Sequence, residues 1–259
     1  MPTMKKIFHN VVLVMCLLGG GTLYAQQGLK LGAFVLPQNS MLLNADDSSL
    51  PTDAFQYELL GGMAGGLVLG YNPIEYFGIR LNVLYSQQGG KHSVRSGVET
   101  RDHYVTRLEY LKIPLMIGFN TGYTNNKLIF SLYGGVQAGF LNHAYTYNNS
   151  VAYEAPLPSI YTGFPTARAR YAAFDLSAVG DIGVDVVLTY NMVLNLHLRG
   201  DYSLQDAEDK MATFRITEGG ATRDQKYWEW ARGATKNAET RNFTTGLLIG
   251  VTYTFGPGL

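Results

Sequence analysis

The chain is expected to be all-β, an eight-stranded antiparallel up-and-down barrel that crosses a membrane and carries long extracellular loops. Three observations predict this. Eight runs alternate in character at residues 28–36, 59–70, 76–88, 103–119, 127–142, 174–189, 192–204 and 240–255. Period two is the side-chain period of a strand, and closed antiparallel barrels that span membranes usually have an even number of strands. The connectors hold 22, 5, 14, 7, 31, 2 and 35 residues, long and short in turn, as happens when alternate connectors lie at opposite ends of a barrel. Aromatic residues stand where the runs end. Tyr71, Phe77, Phe119, Tyr190, Tyr253 and Phe255 lie by the short connectors, and Tyr57, Tyr85, Phe140, Phe174, Tyr202 and Phe243 by the long ones, forming two girdles at the depth of the membrane interfaces.

Composition narrows the class. Lys+Arg 20 against Asp+Glu 20, with only 15% charged residues, supplies no basic field, so nucleic acid is not expected as a partner. Residues 1–25 read as a signal peptide: Lys5 and Lys6 precede the apolar Ile7–Leu18, and a cut after Ala25 fits, although Leu23 is larger than the residue usual at its position. The apolar run is too short to span a bilayer as a helix. Its removal would take Cys16, the one cysteine, and shift the net charge to −2. The mature domain, 26–259, would then have neither disulfide nor thiol chemistry. No later stretch offers 18 consecutive apolar residues, so no transmembrane helix is expected.

Taken in order, the first run sets Lys30 against Leu29 and Leu31, and the second brings Gly62, Gly66 and Gly70 to the Lys30 face. The third opposes Phe77, Ile79, Leu81, Val83 and Tyr85 to Arg80 and Asn82. Turn residues fill the short connectors, at Tyr71-Asn72-Pro73, at Asn120-Thr121-Gly122 with Asn125-Asn126, and at Tyr190-Asn191. In the fourth run Pro114 cannot donate to a ladder, which predicts a bulge or a break there and accounts for an apparent slip of parity between Tyr104 or Tyr110 and Leu115. The fifth run places Gly135 and Gly139 inward, and the sixth Asp175, Ser177, Asp181, Gly183 and Asp185. The seventh sets Asn195, His197, Arg199 and Asp201 against Leu194, Leu196, Leu198 and Tyr202. In the last, Phe243, Thr245, Leu247, Ile249, Val251, Tyr253 and Phe255 would meet lipid, and Thr244, Gly246, Leu248, Gly250, Thr252 and Thr254 the lumen. Its expected partners are 192–204 and, across the seam, 28–36, which leaves no strand edge in lipid.

The inward face carries both charge signs, through Lys30, Arg80, Lys112, Asp181, Asp185, His197, Arg199 and Asp201. An eight-stranded interior is about filled by its own side chains, so these groups are expected to pair as a plug. A proton or ion path through Asp181, Asp185, His197 and Arg199 is the alternative.

The run Leu108-Glu109-Tyr110-Leu111-Lys112-Ile113-Pro114-Leu115-Met116-Ile117 resembles the YL-x-IP-hydrophobic run on the fourth strand of the porin-like outer-membrane β-barrel domain family. Gly28-Leu-Lys-Leu-Gly-Ala resembles the opening of its first strand. Lys112 stands where that motif would carry an acidic residue. The end of the chain resembles the signal read by the barrel assembly machinery, with Gly250, Tyr253 and Phe255 in a glycine-x-x-aromatic-x-aromatic arrangement, although Leu248 takes a usually polar place and residues 256–259 follow the final Phe. The resemblance implies the outer membrane as location, and its lipid and the assembly machinery as partners. It also allows an accessory role in a secretion or gliding apparatus.

The mature histidines are His92, His103, His143 and His197, without His-x-x-x-His, Gly-x-Ser-x-Gly or a phosphate loop. No catalytic residue, cofactor or metal site is therefore expected. A lipid- or peptide-hydrolysing enzyme of the outer rim is the rival, resting on Glu99, Asp102, His92 and His103. Tyr227, Trp228 and Trp230 in the last long loop are candidate anchors for an extracellular ligand or envelope protein, unless they extend a hairpin and pack on themselves. The expected role is non-enzymatic, in surface interaction or envelope integrity.

Overall fold

The computed structural model describes residues 28–44, 55–96, 100–122, 126–148, 151–152, 161–162, 166–227 and 239–255. The expected signal peptide, Glu99, Trp228 and Trp230 lie outside them. Eight long strands form a ring: β1 (Gly28–Asn44), β2 (Leu60–Ile74), β3 (Phe77–Ser96), β4 (Thr100–Asn120), β5 (Leu128–Asn148), β6 (Phe174–Val187), β7 (Met192–Ser203) and β8 (Thr240–Phe255). Each pairs antiparallel with its neighbour in the chain, and β1 pairs with β8 from Leu29↔Phe255 to Asn44↔Thr240, which closes the sheet. The last strand thus has the two partners its pattern predicted.

Crossing from strand to strand at paired positions leads from Lys30 through Gly70, Arg80, Met116, Gly135, Val179, Asp201 and Thr244 back to β1 at Ser40, a stagger of ten residues. At about 3.3 Å per residue and 4.8 Å between strands, eight strands with that stagger tilt by about 40° and enclose a backbone radius of about 8 Å. Such an interior holds side chains and little else.

The alternation sorts the residues. Leu31, Leu67, Leu115, Ile117, Phe130, Leu198, Leu247 and Val251 are exposed, with Phe119 at 63%, whereas Lys112, Gln137, Asp185, His197 and Arg199 are buried. An apolar girth of this extent would drive association in water; in a bilayer it is the solvated surface. Tyr85, Phe140, Phe174 and Tyr202 ring the loop end, and Phe119, Tyr190, Tyr253 and Phe255 the turn end.

The strands extend beyond the predicted runs at the loop end. β1 continues through Pro37 to Asn44, and β3 and β4 shorten the third connector to residues 97–99. Above the apolar band, polar residues on both faces still pair their backbones, but they leave no alternation to read. Pro37 and Pro114 are each accommodated by interrupting one ladder only. Pro37 opposes Met63 on β2, and pairing to β8 skips from Val35↔Ile249 to Gln38↔Gly246. Pro114 opposes Gln137 on β5, and pairing to β3 skips from Leu81↔Leu115 to Leu84↔Lys112. Of the bulge or break expected at Pro114, the break is present, in the ladder to β3, and the bulge is not. The register shift lies between Glu109 and Tyr110, where the partners jump from His143 to Leu141 and leave Asn142 as the extra residue. β4 itself keeps one parity, so Tyr110 points inward and is fully buried. The first turn is likewise displaced, from Tyr71-Asn72-Pro73 to Glu75-Tyr76, with a register shift between Tyr71 and Ile74.

Above the barrel, Thr213–Glu218 and Ala221–Lys226 form a hairpin joined by the short strand Tyr161–Thr162. Its turn needs positive φ at both central positions, supplied by Gly219 (59°) and Gly220 (81°).

Candidate functional site

The lumenal charges gather around β6 and β7. Asp181 and Asp185 stand four residues apart on the inward face of β6, and His197 on β7 opposes Gly183 between them. Gly183 is required there, because a Cβ would lie 2.4 Å from His197 Cδ2. The ring bridges the two carboxylates, with Nδ1 3.1 Å from Asp181 Oδ1 and Nε2 2.8 Å from Asp185 Oδ1. A neutral imidazole donates through one nitrogen only, whereas an imidazolium donates to both.

Asp185 also accepts from Asn195 Nδ2 at 2.6 Å, Ser131 Oγ at 2.7 Å and Arg80 Nη2 at 3.5 Å. The Arg80 guanidinium lies 3.7 Å from the Tyr133 ring centre, with Nη1 3.9 Å from Asp181. Arg199 Nη1 is 3.8 Å from the other Asp181 oxygen, and its Nη2 donates to Gln137 Oε1 at 2.9 Å. Lys112, whose partner the sequence left open, donates to both oxygens of Asp201 at 3.0 and 3.1 Å. Lys30 is buried and is separated from Arg80 only by Gly70 on the intervening strand. All eight residues singled out for the lumen therefore share one interior. Ser131 donates to a carboxylate and not to His197, so the imidazole activates no hydroxyl and the arrangement differs from a nucleophile, base and orienter series.

Two apolar clusters were not legible as such. Phe34, Leu36, Ala64, Val68, Leu84 and Leu248 fill the side of the lumen formed by β1, β2, β3 and β8. The odd inward Leu248 was the available signal, and Phe34 and Leu84 share its parity. Toward the loops, Leu108, Tyr110 and Leu141 pack with Leu42, Ala144 and Tyr171. Tyr171 arrives from the connector between β5 and β6, where Thr166 caps the single turn Ala167–Arg170. The segment is tied down by Arg168 Nη2 to Leu141 O at 2.9 Å, Ala172 N to Ala207 O at 2.9 Å and Ala207 N to Thr240 O at 2.8 Å. The loop end of the lumen is thereby capped.

Gly250 opposes Phe34 on β1 and Asn195 on β7. Tyr253 and Phe255 face outward, their rings 4.9 Å apart edge to face, and the Tyr253 hydroxyl accepts from Asn191 at 3.0 Å. Tyr227 lies beneath the Arg170 guanidinium at 4.7 Å. His92 stacks on its cross-strand partner Tyr104 at 5.3 Å, whereas His103 opposes Ser93, so the two histidines occupy positions of opposite parity. Among the described residues no three His, Cys, Asp or Glu side chains are grouped to hold a metal.

A closed, staggered ring with an apolar girth and a polar interior defines an integral outer-membrane β-barrel. Residues 23–209 match the model of the outer membrane protein beta-barrel domain, and the chain belongs to that family; its place is the outer membrane. Solved structures similar to it include the outer membrane protein OprG from Pseudomonas aeruginosa (13% identity, 89% of this chain and 97% of that chain, TM-score 0.46). Neisserial surface protein A is another (12%, 88% and 97%, 0.41). So is the outer membrane protease OmpT from Escherichia coli (9%, 91% and 99%, 0.35). No curated protein matches the chain.

Proposed function

We propose that this protein is a closed, non-enzymatic barrel that presents an extracellular surface to a ligand or envelope partner, or supports the integrity of the envelope. The observation that carries this reading is the filled lumen: its charges are bound to one another, and Tyr171 packs into its loop end. A barrel so filled contributes through what stands above it, and the hairpin Thr213–Lys226 is part of that surface.

The test has two arms. In planar bilayers the purified protein is expected to give no steady conductance, and regular conducting steps would overturn the closed lumen. In cells, a photocrosslinking residue at Gly219 is expected to capture a partner, and one at Asn191, in a turn at the other end, is not. Adducts from Asn191 alone would replace surface contact with an accessory role beside periplasmic machinery.

A further inference from the structure

Among the described residues the wall has a depression outside the lumen. It measures about 510 Å³ and is lined by Pro37, Asn39, Gly61, Met63, Gln87 and Arg107, with Gln38 and Gly62 at its base. Its origin lies in the ladder. Pairing between β2 and β3 ends at Ala64↔Ser86, and β3 next pairs with the separate short strand at Glu58↔Lys91. Side chains from β1 occupy the interval: Gln38 Nε2 donates to Gln87 O at 2.8 Å and Ser86 Oγ at 2.9 Å, and Ser40 Oγ accepts from Gly89 N at 2.9 Å. Gly61 then leaves open space on the outer surface, where a Cβ would meet nothing within 4 Å.

The depression lies at the outer girdle. Gln87 is two residues toward the loops from the girdle residue Tyr85, which opposes Leu111, and Arg107 is four residues toward the loops from Leu111. At the barrel's tilt, four residues rise about 10 Å, from the edge of the hydrocarbon into the headgroup layer. Apolar Pro37 and Met63 form the lower rim, and polar Asn39, Gln87 and Arg107 the upper. The neighbouring outward charges are engaged. Glu109 accepts from the Tyr85 hydroxyl and faces His143 Nδ1 at 3.4 Å, and Lys91 pairs with Glu58 at 2.6 Å. Arg107 is exposed and binds no side chain among the described residues.

We infer that this depression seats the phosphate-bearing headgroup of an outer-leaflet lipid, with Arg107 on the phosphate, Asn39 and Gln87 on neighbouring polar groups, and the acyl chains descending past Met63. A guanidinium fork suits a phosphate ester and is more weakly hydrated than an ammonium, and a cation at this depth faces the headgroups of the leaflet.

The experiment uses the full chain purified in neutral detergent, with native mass spectrometry reading the retained fraction of diphosphoryl lipid A, of the same glycolipid without phosphates, and of inorganic phosphate. The phosphorylated lipid is expected to be retained, and Arg107→Gln to lower its retention about tenfold, the scale of one charge-assisted hydrogen bond. Gly61→Leu, whose Cβ meets nothing within 4 Å, should do the same while heat-modifiable gel migration stays unchanged. Arg223→Gln, in the distant hairpin, should leave retention as it was. Equal retention by the wild type and Arg107→Gln, or equal retention of the dephosphorylated glycolipid, would overturn the site. Inorganic phosphate held as well as the lipid would overturn the lipid as its source. None of these readings depends on whether the barrel has an extracellular partner.

Discussion

The two sides of the lumen are filled by different means. On β6 and β7 the interior is ionic, with His197 between Asp181 and Asp185, Arg199 beside them on β7 and Arg80 reaching across from β3. β1, β2, β3 and β8, which also carry Lys30 and Arg80, contribute an apolar cluster in which Phe34, Leu36, Val68, Leu84 and Leu248 are in contact. An ionic filling is tied to particular partners, since each group removed from water needs a counter-charge; an apolar filling needs only volume. The difference locates specificity on β6–β7 and tolerance on the opposite wall.

The sharpest way to break the ionic side is Asp185→Ala, which strips the common acceptor from His197, Asn195, Ser131 and Arg80. A buried cation left without its partner costs about 3–5 kcal/mol, to be read as a lower midpoint of urea unfolding in lipid vesicles at unchanged slope. Leu248→Ala tests the apolar side in the same assay. A cavity among Phe34, Leu36 and Leu84 is expected to cost about 2–4 kcal/mol, and a loss near zero would show that Leu248 is not part of the filling.

Much of this contrast was legible beforehand, and the gaps have causes. Alternation alone put Asp181, Asp185, His197 and Arg199 on one face, because a strand has only two sides. Register was not available in the sequence, so the pairing of Lys112 with Asp201, far apart in the chain, came only with the closed ring. The apparent slip of parity between Tyr110 and Leu115 has a related explanation: β4 keeps one parity with Tyr110 on the lumenal face, and the extra residue is Asn142 on the neighbouring strand. The depression beside Arg107 was hidden too, since it arises where the β2–β3 ladder stops, and no periodicity marks the end of a ladder.

The outer face gives a further comparison. We propose that Tyr253 and Phe255, with Gly250, are read by the assembly machinery. Once the barrel is folded the two rings offer their own edge-to-face contact, worth about 0.5–1.5 kcal/mol, and the exposed hydrogen bond from Asn191 to the Tyr253 hydroxyl. Replacing both with Ser should therefore lower unfolding stability by less than Leu248→Ala does, yet markedly reduce the heat-modifiable form recovered from cell membranes. Normal recovery of that double variant would remove the signal reading.

The smallest expected change asks whether the ionic side can be rebuilt as the apolar one. Lys112→Met alone leaves Asp201 buried without its partner, and Asp201→Leu alone strands the Lys112 ammonium; each should cost about 3–5 kcal/mol. Together they exchange two desolvated charges for apolar volume, and a buried pair replaced in this way is often neutral or better, so the double variant should unfold within about 1 kcal/mol of the wild type. Because Lys112 and Asp201 bind each other through both carboxylate oxygens, the pair can be removed with little disturbance to Asp181, Asp185 and His197. A double variant as unstable as either single one would mean that Arg199, two residues from Asp201 on the same face of β7, depends on the Asp201 charge. The ionic side would then be one indivisible network, with Lys112–Asp201 inseparable from the group around His197.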